Sequence, residues 1–433
     1  MKTYSKFLAF FFAGALATTG FTSCSDDDTT TVDDRENPVI ENRWTGTNAE
    51  MWNATKQYVE NVIYPTYSNL ASKADELYNT SVTMQTKFKA GSLTDADVQA
   101  VCTAFEGARY YWERSEAFLY GAASDYEIDP HIDSWPLDQS QMANFLSNPT
   151  MVAGLNGDDP IKFVSDNNGS FDTALGFHGV EFVLYRDGAP RKAEVFNGNE
   201  THESFAGKTV PCAEEISFLV AVTGDLRDHC YWLEVAWLGQ AAPQAHRDRI
   251  AALGVKTHAL SDNGYYYGAN LLLTGNGKSQ YTSMPEALAT ILDSGCSNIC
   301  QEVYSQKMGQ AYRVATGHGT SEDAGNYIES PYSKHSFIDY QGNILSIQNS
   351  LYGTMDGTQN ANSIMSYLEN HNYENAAALK SALKNAIAAL QTCIDSGIAF
   401  VDNPGHAQVG TAINAVQELD DQLQAAKQWI EKQ

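Results

Sequence analysis

Apolar side chains recur at three- and four-residue steps over most of this 433-residue chain, and runs that alternate apolar with polar residues are nearly absent. A period near 3.6 lets a helix bury one face, whereas a half-buried strand needs a period of two. In the first long example Met51, Trp52, Val59, Val62, Ile63, Tyr67, Leu70, Ala74 and Leu77 share a stripe behind the capping residue Asn48. Pro65 predicts a kink within it. A second helix starts at Thr94, with Asp95 and Asp97 in its first turn, and runs to Tyr120, where Gly121 stops it. Residues 122–170 are rich in Asp, Asn, Gly and Pro, with short helical pieces at 141–146 and 161–164, and 187–208 reads as a polar hinge. Helical patterns resume at 212–238, 283–312, 341–352, 362–368, 373–399 and 409–432. The expected class is all-α, with two helical-bundle domains (43–205 and 206–433) packed against each other.

The N-terminus reads as an export signal. Lys2 and Lys6 precede the apolar run from Phe7 to Ala17, which is too short to span a bilayer, and small residues lead to Thr22-Ser23-Cys24. Such an ending resembles a bacterial lipoprotein signal (1–23), with Cys24 acylated and 24–42 serving as an acidic tether. Ser25-Asp26-Asp27-Asp28 resembles the tether of lipoproteins shown on the outer surface. The expected location is therefore the outer membrane, at the cell surface, with the lipid at Cys24 as the membrane contact. The formal net charge is −26, and loss of the two signal lysines leaves −28. A chain this acidic, with no basic stripe, is no nucleic-acid binder. Cys102, Cys212, Cys230, Cys296, Cys300 and Cys393 are scattered without a Cys-x-x-Cys pair, which argues against a thiolate zinc site. Cys296 and Cys300, one helical turn apart, read as core.

The chemistry-bearing run is Gly176-Phe177-His178-Gly179-Val180-Glu181-Phe182-Val183-Leu184-Tyr185. On a helix, His178 and Glu181 point off one face, and two polar groups on an apolar helix need partners. The same spacing at His371 and Glu374 lies in a polar stretch and reads as an exposed helix junction. Upstream, Arg109, Glu113 and Glu116 form a stripe of one cation and two carboxylates among aromatics, and Asp133-Ser134-Trp135-Pro136 makes a stiff extended turn. Taken singly, each reads as packing or capping.

Taken in order, they carry a resemblance. Ala108-Arg109-x-x-Trp112-Glu113-x-Ser115-Glu116-Ala117-Phe118, then Asp133-Ser134-Trp135-Pro136, then Gly176-x-His178-x-x-Glu181, then Ser330 through Asp339 with Leu351-Tyr352-Gly353, resembles the imelysin family. That family includes bacterial surface lipoproteins and the insulin-cleaving membrane protease. The resemblance implies an all-helical two-bundle fold, a His-x-x-Glu site near the domain interface, and association with iron acquisition and other iron-uptake proteins. The Ser-Asp of the last motif stands here as Ser333-Lys334, so no acidic role carries over to 334.

One imidazole among several carboxylates suits iron or another divalent or ferric ion better than zinc. A metal-dependent peptidase using His178 and Glu181 would need a third ligand, His318 or His335, and an open water position. A polar interface for some other ligand or partner is the third reading. The expected site has His178 and Glu181 as metal ligands, with Arg109, Glu113, Glu116, Asp133, Trp135, Ser333 and Asp339 around them. His178 and Glu181 should then lie within about 10 Å of at least two of those residues, close enough for one side chain or water to bridge.

Overall fold

The computed structural model describes residues 34–167, 169 and 171–433. The signal 1–23, Cys24 and tether residues 25–33 lie outside the described residues. Helix α1 (Thr47–Tyr58) passes through a wide π turn at Val59–Ile63 into α2 (Tyr64–Lys89). The expected break at Pro65 takes this form. Proline sits in the first turn of α2, and the wide turn before it absorbs the missing N–H without ending the rod. Helix α3 (Asp95–Glu113) opens with a Thr94–Asp97 capping box and packs against α2.

Helix α3 ends seven residues before the expected Tyr120. Ser115 turns the chain out by giving both its N–H (2.8 Å) and its hydroxyl (2.7 Å) to the Trp112 carbonyl. A short 3-10 turn, Glu116–Phe118, follows. Glu113 and Glu116 are thus on two elements rather than on one helical stripe, although both are buried.

Among the further helices of the first layer, three position the site: α4 (Ile128–Ile132), α5 (Gly176–Leu184) and α6 (Cys212–Leu238). Helix α6 is buried nearly all round, its carboxylates Glu215, Asp225, Asp228 and Glu234 included, because it packs on α2 and α5 together. This places 212–238 with the helices of the N-terminal half, although the sequence grouped it with the C-terminal half. The connection before it carries β1 (Tyr185–Arg186) and β2 (Ala189–Pro190), antiparallel strands of two residues each. With so little strand, the fold is all-α.

Helices α7 (Ser336–Tyr352), α8 (Ala376–Asp395) and α9 (Ala407–Ile430) form the second group, with an irregular rod from Met284 to Ala315 broken by π turns at Ile291–Ser297 and Glu302–Lys307. Helix α7 touches α8 on one side and α3 on the other. At the second contact a Cβ on Gly342 would stand 2.7 Å from the Glu113 Cβ, so glycine permits the approach that joins the groups. One apolar core runs through both, from Met51 to Ile430.

The N-terminal segment begins against this body. Glu36 accepts hydrogen bonds from Tyr266 (2.6 Å) and Gln240 (2.8 Å), and Arg35 donates to the Asp262 carbonyl at 2.9 Å. Part of the stretch read as tether is therefore held down by side chains. The six cysteines among the described residues are unpaired and buried, and burial pushes the Cys102 and Cys296 thiols up to about 12. No helix among the described residues is long and apolar enough to cross a membrane.

Candidate functional site

The junction of α3, α5 and α7 holds an unusual density of buried charge. Gly176 starts α5 with φ at 60°, a left-handed conformation, and a Cβ there would overlap the Ile132 carbonyl oxygen. Glycine at that point lets α5 begin directly against the end of α4, so His178 faces Asp133. His178 Nε2 lies 3.1 Å from Asp133 Oδ1, and Nδ1 lies 3.4 Å from Glu181 Oε2. The first is an ion-pair distance, but the N–H does not aim at the oxygen, and Nε2 is left buried with no aligned hydrogen bond. Glu181 is held from the other side: Ser333 donates both its backbone N–H and its hydroxyl to Oε1, each at 2.7 Å.

Arg109 is the hub. Its guanidinium pairs with Asp133 and Glu329, with Glu113 at 2.5 Å and with Asp339 at 3.4 Å, while its plane rests over Phe177 at 5.2 Å. Asp133 also accepts from Trp112 Nε1 at 2.8 Å, Asp339 accepts from Ser330, and Glu113 accepts from Asn343 at 2.5 Å. Lys307 enters from the π turn, 3.1 Å from Glu329 and 3.7 Å from Glu116. Trp135 covers that ammonium at 5.7 Å and packs on Tyr327. The sequence-predicted residues Arg109, Glu113, Glu116, Asp133, Trp135, His178, Glu181, Ser333 and Asp339 all belong to this assembly.

Three members were missed, Lys307, Glu329 and Asn343, and Ser330 stood in a motif without being singled out for the site. Glu329 immediately precedes the Ser330-Pro331 motif, and extending that motif by one residue would have found it. Two expectations divide differently in space. Glu181 was read as a ligand beside His178, yet one of its oxygens is engaged by Ser333. The carboxylates grouped with the His178 nitrogen are Asp133 and Glu329. The hydrolase alternative required a third ligand, His318 or His335. His318 is exposed with Nδ1 3.2 Å from Thr316, and His335 stands at the N-cap position of α7, with no side-chain cap, and does not join the His178 group. His371 pairs with Glu50 at 2.7 Å, away from the site.

Electrostatics are lopsided. Six buried carboxylates (Glu113, Glu116, Asp133, Glu181, Glu329, Asp339) face two permanent cations, Arg109 and Lys307. Burial drives the Glu113 and Glu116 carboxyls well up, against the pull of Arg109 on the first and Lys307 on the second. Asp339 is raised for the same reason. Burial would raise Asp133 too, but Arg109 and His178 outweigh it and hold that carboxyl below the usual range. Burial works against a charged His178, while Asp133 and Glu181 raise it to about 9. A cavity of about 210 Å³, edged by Phe105, Tyr110 and Ile338, opens onto Arg109, Glu113 and Asp339.

The chain is a member of the imelysin family, whose profile matches residues 63–425. Among its relatives is iron-regulated protein A of Synechococcus elongatus, 23% identical over 382 residues that make up 87% of this chain and 86% of that protein. A crystal structure described as an iron-regulated protein A precursor from Parabacteroides distasonis has a TM-score of 0.70 at 23% identity, covering 89% of this chain and 96% of the other. An imelysin-like protein from Psychrobacter arcticum has a TM-score of 0.51 at 15% identity, covering 90% and 95%. These two likenesses establish the shared fold.

Proposed function

We propose that this protein binds a di- or trivalent metal ion, iron by preference, at His178, Asp133 and Glu329. The observation that carries the reading is the buried His178 Nε2 with no aligned hydrogen bond, facing a cluster in which carboxylates outnumber cations. An uncompensated buried charge is costly, so a cation is a natural complement. One imidazole and several carboxylate oxygens suit iron. Glu181, fixed by Ser333, would orient the His178 ring from behind, as second carboxylates do at metal-bound histidines. The names of the relatives give independent support for a link to iron, and service in iron uptake with partner proteins follows as part of the reading.

The test is elemental analysis of protein purified without chelator. The wild type should carry iron or a similar ion near one equivalent, and His178→Ala should carry far less. Equal metal in both would overturn the assignment. Chelator-sensitive peptide hydrolysis by the wild type, absent from His178→Ala, would replace binding by the metallopeptidase reading.

Location belongs to the same proposal: an outer-membrane lipoprotein held at the cell surface through acylated Cys24. Cys24→Ala should move the protein into soluble fractions, and a variant that stayed with the membrane would refute the lipid anchor. Digestion of the wild type by external protease on intact cells tests surface display.

A further inference from the structure

A second cluster of metal-ligating side chains lies outside the Arg109 assembly. His131, at the end of α4, meets Asp225 and His229, which stand one turn apart on α6. The two imidazole rings are 4.2 Å apart between centroids, and His131 Nε2 lies 2.6 Å from Asp225 Oδ2. One ligand atom from each of the three residues lies within 4.8 Å of the others.

The surroundings orient these rings. Asp172 Oδ1 takes the other nitrogen of His131, Nδ1, at 2.9 Å. A carboxylate behind a ring in this way fixes Nδ1 as the protonated atom and turns Nε2 toward Asp225, as in carboxylate–histidine–metal arrangements. His229 Nδ1 lies 2.9 Å from the Asp225 backbone oxygen. A carbonyl can only accept, so Nδ1 carries the proton, and the neutral ring keeps its lone pair on Nε2. His131 and Asp225 are buried, while the Asp172 side chain is 44% exposed and His229 is partly so, which leaves an edge by which an ion can enter. Trp232, 5.9 Å from His229, closes one side. Two ligands sharing a tetrahedral ion at about 2.1 Å stand about 3.4 Å apart, so Asp225 has to turn away from its 2.6 Å contact with His131 to admit it.

We infer that His131, Asp225 and His229 form a second site, for a divalent transition ion of the Zn²⁺, Co²⁺ or Fe²⁺ class. Two imidazoles and one carboxylate make it softer than the oxygen-rich His178 site, so the two would sort ions by chemistry. The contrast with Glu200, Cys212 and Glu215 is instructive. There Arg191 touches all three candidate ligands, 3.1 Å from Glu200, 3.0 Å from Glu215 and 3.5 Å from Cys212 Sγ, and fills the space between them, whereas Arg109 pairs with Asp133 and Glu329 but leaves His178 free of it. Among the described residues no Lys or Arg pairs with Asp225; its partners are the two imidazoles, and an ion would replace the proton that His131 Nε2 shares with Asp225. This inference does not depend on the metal reading of the His178 site.

The experiment uses Co²⁺ with full-length protein stripped of metal, and reads the visible absorption of the bound ion alongside equilibrium dialysis. In His178→Ala, which removes the first site, one Co²⁺ should still bind with a histidine-type spectrum. Adding His229→Asn, which keeps an amide donor near the Asp225 carbonyl but removes Nε2, should weaken that binding by about 100-fold or more. Asp225→Asn in the same background should do likewise, and each variant's melting temperature checks that it is folded. Absence of Co²⁺ binding in His178→Ala would overturn the site. So would binding that persists unchanged in both folded variants, since the cluster would then be only a hydrogen-bonded clamp between α4 and α6.

Discussion

Replacing Arg109 by methionine should cost most of the stability of the metal-free protein. The guanidinium is the shared partner of Glu113, Asp133, Glu329 and Asp339, all buried. Removing one partner of a buried pair typically costs about 3–5 kcal/mol, because the remaining charge keeps its desolvation penalty. Here four carboxylates lose the same partner, against a total stability of about 5–15 kcal/mol for ordinary domains. Protonation limits the damage, and it also gives the loss a pH signature. Burial already raises the Glu113 and Asp339 carboxyls, and loss of Arg109 raises them further. A carboxyl raised in the folded state keeps its proton there after the unfolded chain has released it. Its contribution is therefore fully present below the unfolded value of about 4.3 and is lost as pH rises toward the folded value. Arg109→Met should thus be more stable near pH 5 than near pH 8 in urea unfolding. Arg109→Lys, which restores the charge without the planar fork, should fall between the variant and the wild type. An Arg109→Met protein within about 1 kcal/mol of wild type would mean that the cluster is held by other means.

The sequence made the long helices legible because their cause is local. The range 212–238 is fixed by apolar density and matches α6 at both ends. The end of α3 was misplaced because the Ser115 back-bond to Trp112 competes with a helix that Phe118 and Leu119 would otherwise continue. The site was legible wherever a short motif carried it, as with Gly176, His178 and Glu181. Glu329 and Lys307 were not, for a physical reason. Glu329 lies in an aperiodic loop, and Lys307, although inside the helical pattern 283–312, sits in a π turn whose wider step changes the face it presents from the one a 3.6 period gives. What brings them to Arg109 is packing between segments more than 190 residues apart. The role of Glu181 was likewise beyond spacing alone. Position on a helix face predicts nearness to His178, while the Ser333 donors that claim its oxygen come from the far half of the chain.

The second large effect separates an ion site from an ion-pair lock, and Glu329→Gln is the informative change. If the cluster is only a lock, Glu329 is one of its ties, through Arg109 and Lys307, and its loss should destabilise the protein whether or not metal is present. The charge imbalance predicts otherwise. Without Glu329, five of the carboxylates still face Arg109 and Lys307. Removing one negative charge then relieves repulsion among Glu113, Asp339 and their neighbours, and the amide preserves shape. In chelator-stripped protein, Glu329→Gln should melt at or above the wild-type temperature. Ferrous iron, added under anaerobic conditions, should reverse the order. An ion present at 100 times its dissociation constant stabilises the native state by about 2.7 kcal/mol, and this increment should appear in the wild type and vanish in Glu329→Gln. Chelation after loading should return the wild type to its stripped melting temperature. A stripped Glu329→Gln protein several degrees below wild type, together with no iron response in either, would identify the cluster as a structural lock between the two helical groups and leave His178 without a metal to hold.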